Sequence, residues 1–149
     1  MRALLQRCSG ARVLVGGEVV GKIAAGLVAL VGTTHGDSEE QARFLARKTA
    51  NLRIFPDGDV ATGSSVLDIG GAVLVVSQFT LYADTRKGNR PSFKRSGPPD
   101  EARALIEVYR ASLEELGVAT SAGVFAANMQ VELVNDGPFT VLLERDPSL

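Results

Sequence analysis

At 149 residues the chain supplies one hydrophobic core, so a single domain over 1–149 is expected. Its 45% hydrophobic and 22% charged residues describe an ordinary soluble globular protein, and a net charge of −1 argues against a general nucleic-acid binder. The lone Cys8 excludes an internal disulfide, and one cysteine with one histidine excludes a zinc site of the usual Cys/His kind.

No apolar run reaches the roughly 18 residues of a membrane span. The opening Met1-Arg2-Ala3-Leu4-Leu5-Gln6-Arg7 turns polar too early for a signal peptide. Residues 2–8 read as a strand in which Cys8 is a small core residue. Arg7 sits among apolar neighbours and needs a fixed acceptor, a carboxylate or a backbone carbonyl. Two short strand patterns, 12–15 and 18–23, flank Gly16-Gly17 and predict a hairpin. Leu27 to Val31, bounded by Gly26 and Gly32, reads as a buried strand. His35 follows in a loop, where it is expected to face solvent.

The period then changes. Ser38 and Gln41 make a capping box, and Ala42, Leu45, Ala46, Thr49 and Leu52 fall on one helical face over 38–52. Arg53 to Pro56 reads as a short strand ended by a Pro-Asp-Gly turn, and 57–65 as a mobile loop of turn formers. No lysine follows Gly63 at phosphate-loop spacing, so a nucleotide loop is rejected.

The apolar run Ala72-Val73-Leu74-Val75-Val76 reads as a buried central strand and delivers Ser77-Gln78-Phe79-Thr80. Polar groups at the end of a buried strand either cap nearby backbone or face a cleft. Leu81-Tyr82 is expected to finish the strand. Residues 84–99 form a long loop holding Arg86, Lys87, Arg90, Lys94 and Arg95 against one acid, Asp84. It is either a solvated loop or a phosphate-contacting patch. A second helix is expected from Asp100 to a stop at Gly117, with an apolar stripe of core residues. Met129, Val131 and Leu133 alternate as a half-buried strand, Asp136-Gly137 reads as a turn, and Phe139 to Leu143 as the last strand.

Two motifs together carry a resemblance. Ser77-Gln78-Phe79-Thr80 resembles the SQxT motif of D-aminoacyl-tRNA deacylases, and Asn135-Asp136-Gly137-Pro138 resembles the same family's NxGP motif. Gln6-Arg7 and Arg90-Pro91-Ser92-Phe93 also fit, so the likeness covers essentially the whole chain. It implies a mixed α/β fold with a bent, mainly antiparallel, barrel-like sheet and two main helices. It implies a cytoplasmic homodimer without a cofactor that frees tRNA from D-amino acids, and from glycine mischarged on tRNA(Ala), by cleaving the ester at the 3′-terminal adenosine. By the same resemblance Ser77, Gln78, Phe79 and Thr80 line the catalytic pocket, with Phe79 acting mainly through its main chain. Gly137-Pro138 reaches into the partner's pocket as a cis dipeptide that excludes L side chains, and Arg7 holds it. Phe125 and Met129 pack on the adenine, and Arg86, Lys87 and Arg90 are candidates for the tRNA backbone. The Ser-Gln-Phe-Thr form sides with the chiral-proofreading branch rather than an animal-type branch that carries Pro-Gln-Ala-Thr. The chain departs from the family in two places. Residues 57–65 lack a Met-Asn pair, and Phe139 stands where valine is more usual.

The residues offer no Ser–His pair, Cys–His pair, metal cluster or carboxylate dyad. Backbone N–H groups and Gln78 are left to polarise a carbonyl as an oxyanion hole does. Two rivals stand beside this reading: Thr80 as a covalent nucleophile, and a non-catalytic RNA-binding module using the basic loop.

Overall fold

The structure is a computed structural model that describes residues 1–147; Ser148 and Leu149, the end of the expected domain, lie outside the described residues. Strand β1 (Arg2–Val15) is one long strand rather than the two short ones the sequence suggested. Gly16 and Gly17, both at positive φ, turn it back into β2 (Glu18–Ile23). β3 (Gly26–Gly32) continues along the same edge of β1, because β1 pairs through 11–15 with β2 and through 2–8 with β3. The opposite edge of β1 carries β8 (Gln130–Glu144). All three pairings of β1 are antiparallel.

Beyond β3 the sheet turns parallel, through β6 (Ala72–Ser77) to β7 (Ala119–Ala122). β7 then comes back against β2, where the Lys22 N–H donates to Ser121 Oγ at 3.1 Å. The strongly bent sheet is therefore nearly closed on itself. β8 lies off this ring as a free outer strand.

The near-closure makes two cores and explains the unbroken apolar runs. Val73 and Val75 of β6, with Leu27, Ala29 and Val31 of β3, pack under the helices. Their neighbours Leu74, Val76 and Val28 point inward to a second cluster with Cys8, Val13 and Ile23. A strand buried on both faces has no polar period to show. Burying each such Val or Leu contributes about 1.5–3 kcal/mol. Burial also pushes the Cys8 thiol up from its ordinary pKa, consistent with a core residue.

Helix α1 (Glu39–Asn51) begins with both halves of the Ser38–Gln41 capping box in place. Helix α2 (Pro99–Glu115) starts with proline at its first position and ends before Gly117, at φ 96°. The two helices are joined in their buried interface by Thr49 Oγ1 and the Tyr109 hydroxyl, 2.8 Å apart. Among the described residues no helix is long and apolar enough to cross a membrane.

Other expectations are corrected as well. The 57–65 segment is not a bare loop: β4 (Phe55–Asp57) and β5 (Val60–Ser64) form a hairpin there. β7 has no sequence signal, because Ala119-Thr120-Ser121-Ala122 is short, small and at most half-buried. The strands expected at 129–133 and 139–143 are one strand, β8, and the turn between them is a bulge within it.

Candidate active site

Ser77 is the last residue of β6, paired with Val31 at the end of β3. The Gln78 N–H donates to Val31 O at 2.8 Å, and there the extended chain stops. Residues Phe79–Tyr82 are a 3-10 turn, not the end of a strand. Their hydrogen bonds run Leu81 N to Gln78 O and Ala83 N to Thr80 O. The opening N–H groups of such a turn have no acceptor within it, and no side chain caps this one. Those of Phe79 and Thr80 are thus left as donors at the strand end.

The turn is tied down from behind. Tyr82 is buried, Arg2 stacks on its ring at 4.5 Å, and Arg2 Nη1 donates to Leu81 O at 2.6 Å. Gly32 is pressed against the turn from β3, where a Cβ would lie 2.7 Å from Gln78 O. Only a residue without a side chain permits that approach.

This strand end opens into a cleft of about 800 Å³. Val31 and Val76 form its floor, and Ala102 and Ile106 of α2 one wall. Phe125, Asn128 and Met129 form another. Phe93 and Lys94 of the long loop stand at the mouth, with the Phe93 ring edge-on to Phe79 at 5.1 Å. Ser96 Oγ donates to Phe79 O at 3.0 Å and so fastens that loop to the turn.

No carboxylate, arginine or cysteine lines the cleft among the described residues; its ionisable side chains are Lys94 and His35. His35 is exposed, as expected, yet it is also at the rim, with Nε2 2.9 Å from Lys94 O. Nothing in the sequence signalled that placement, since the Thr33–Asp37 loop meets residues 94–97 only through tertiary contacts such as Gly97 N to Thr33 O. Phe93 belongs to the Arg90-Pro91-Ser92-Phe93 match and Ala102 and Ile106 to the apolar stripe of the second helix, and neither pattern signals a place on a cleft.

Of the motif residues, Ser77, Gln78, Phe79, Phe125 and Met129 meet in this cleft, and Thr80 does not line it. Gln78 Nε2 donates to Thr80 Oγ1, and no imidazole, amine or carboxylate hydrogen-bonds to that hydroxyl among the described residues. Phe79 as a residue is 57% exposed, and its ring meets that of Phe93 at the mouth.

Arg7, Gly137 and Pro138 are elsewhere. Between the pairs Gln6↔Thr140 and Cys8↔Asn135, β1 spends one residue, Arg7, while β8 spends four, 136–139. The surplus leaves the strand as a bulge. Asn135 Oδ1 accepts from the Phe139 N–H at 2.8 Å across its base. Arg7 Nε donates to Asp136 O at 2.9 Å and Nη1 to Ile54 O at 2.7 Å, with the guanidinium 5.0 Å from the Phe139 ring. The Gly137–Pro138 peptide is cis, and Gly137 has φ 134°. A Cβ there would lie 2.9 Å from Arg7 Nη2. None of these residues lines the cleft of its own chain.

In the basic loop Arg86 is already occupied. Its Nε and Nη2 donate to Asp84 at 2.9 and 2.7 Å, which holds the Asp84 carboxyl well below the usual carboxylate range. Arg95 lies 5.8 Å from the Tyr82 ring. Lys87 and Arg90 are exposed, as the other cations of the loop are, and make no ion pair among the described residues.

The chain as a whole is similar to several known proteins. A model of the family described as D-Tyr-tRNA(Tyr) deacylase matches residues 4–144. A protein of Roseiflexus sp. (strain RS-1) named D-aminoacyl-tRNA deacylase is 59% identical over 97% of this chain and 93% of its own length. One of the same name from Thermus aquaticus is 54% identical over 97% and 95%. Among solved structures, the c-Myc DNA unwinding element binding protein superposes with TM-score 0.92 at 36% identity, covering 98% of this chain and 99% of its own. A probable eukaryotic D-amino acid tRNA deacylase shares the fold, with TM-score 0.79 at 17% identity over 95% and 97%.

Proposed function

The chain belongs to the D-Tyr-tRNA(Tyr) deacylase family and is a hydrolase of the D-aminoacyl-tRNA deacylase type; from this premise we propose how its residues do the work. The 3′-terminal adenosine enters the cleft against Phe125 and Met129. The ester carbonyl points at the strand end, where the N–H groups of Phe79 and Thr80, with the Gln78 amide, receive the negative charge that develops on its oxygen. Water adds to the carbonyl carbon, the bond to the ribose oxygen breaks, and that oxygen leaves with a proton as the free tRNA terminus. The neighbouring ribose hydroxyl assists the water: among the described residues the cleft lining has no carboxylate or thiol, and its one imidazole, His35, is at the rim beside the Lys94 carbonyl. An aminoacyl ester is reactive enough that orientation and charge stabilisation suffice.

The observation that carries this reading is the uncapped turn after Ser77, opening into a cleft that no carboxylate or cysteine lines among the described residues. It also disfavours the covalent rival, since Thr80 has an amide for a partner and no base.

Handedness is judged by a second copy of the chain. Gly137-Pro138 stands on the free outer strand, away from its own cleft, and that strand exposes Val134 and Leu142. A homodimer that inserts each bulge into the other's cleft would set rigid main-chain atoms against the substrate's α-carbon and exclude L side chains. Glycine, with no side chain to exclude, would pass, so glycyl-tRNA(Ala) is a second substrate.

Mixed dimers test this. Gly137→Val and Gln78→Ala homodimers should each be inactive on D-tyrosyl-tRNA. Unfolded together and refolded in equal amounts, they should recover about a quarter of wild-type activity, since half the dimers are mixed and each has one intact site. No recovery, with mixed dimers formed, would sink the shared site. An inactive wild type would sink the function.

A further inference from the structure

Arg103 follows Ala102 on α2 but does not line the cleft. It is exposed and, unlike Arg110 on the same helix, which pairs with Glu107 and Glu114, it makes no ion pair among the described residues. Its guanidinium instead lies over the Phe125 ring, 5.0 Å from the centroid. Phe125 does line the cleft. Phe125 thus touches both the cation and the cavity.

A cation over one face fixes the ring's plane and draws its π density backward. The other face then becomes a better stacking partner for an electron-rich purine. We propose that Arg103 is a positioning residue for the substrate's terminal base, acting through Phe125 and not on a phosphate. The segment that carries Phe125 gives this support something to do. Ala126, next to it, holds a positive φ of 62°, and the stretch is closed by the turn bond from Ala127 N to Val124 O, with Gly123 N on Val75 O before it. A ring on such a segment gains from an anchor on the helix. This role rests on the cleft being an adenosine site.

Two substrates separate it from its competitors. Arg103→Met should raise KM about two- to fivefold with kcat unchanged. The rise should be equal for D-tyrosyl-tRNA and for the D-tyrosyl ester of adenosine, which has no phosphate, and should persist at high salt. Arg103→Lys should fall between the two. A KM change seen only with tRNA and abolished by salt would identify a phosphate contact and overturn the proposal. An active wild type with an indifferent Arg103→Met would overturn this role alone. A wild type that hydrolyses neither ester would overturn the function and this role with it.

Discussion

Two motif segments of this chain are held in opposite ways. Residues 77–82 end a strand buried on both faces, and apolar packing fixes them from below while Arg2 and Ser96 fasten them from the sides. Residues 136–139 bulge from an outer strand, and a polar clamp, Arg7 on two carbonyls, holds them. The first segment lines a cleft and the second does not. The contrast teaches that core burial suits a site that must present backbone N–H groups in fixed directions. A clamp on a bulge suits a group that must project beyond its own subunit.

The contrast is open to attack at each end. The largest effect is expected at the clamp. Gly137→Val puts a side chain within 2.9 Å of Arg7 Nη2, at a φ that β-branched residues avoid. Activity on D-tyrosyl-tRNA should fall about 100-fold, because a displacement near 1 Å in a positioned group can cost that much. The melting temperature should fall far less than activity, since Gly137 itself belongs to neither core; unchanged turnover would show that the bulge is not part of the site. Next comes Gly32→Ala at the packed end. Its new methyl meets the Gln78 carbonyl at 2.7 Å, and overpacking of this kind costs about 1–3 kcal/mol. Here activity and thermal stability should drop together, with kcat at least tenfold lower, and a loss of one without the other would separate the turn from the core.

Smaller effects sharpen the picture. Replacing Lys87 and Arg90 together by Ala should raise KM for tRNA several-fold and flatten its salt dependence by about two phosphate contacts. The adenosine ester should not notice; an equal change on both substrates would move the loop's role from the tRNA backbone to the cleft. Smallest of all, Thr80→Ala and His35→Asn should each keep kcat within a few-fold of wild type. An acyl-enzyme trapped on Thr80 would restore the covalent rival, and a collapse in His35→Asn would make the imidazole the base.

The sequence by itself determined the strands at 27–31 and 72–76, because a run buried on both faces admits no polar residue. It determined α1, because the Ser38–Gln41 box and the apolar spacing agree. It also supplied the two motifs, and through their resemblance the family. What it could not determine was which residues share a space. His35, Phe93 and Ile106 meet around one cleft from three separate segments, and no local period records such a meeting. The continuity of β8 was hidden for a related reason: Asp136-Gly137 is turn chemistry locally, and only pairing with β1 on both sides makes it a bulge. That Gly137-Pro138 lies away from its own cleft was decided by register alone, because one residue on β1 opposes four on β8 and the surplus has nowhere to go but out.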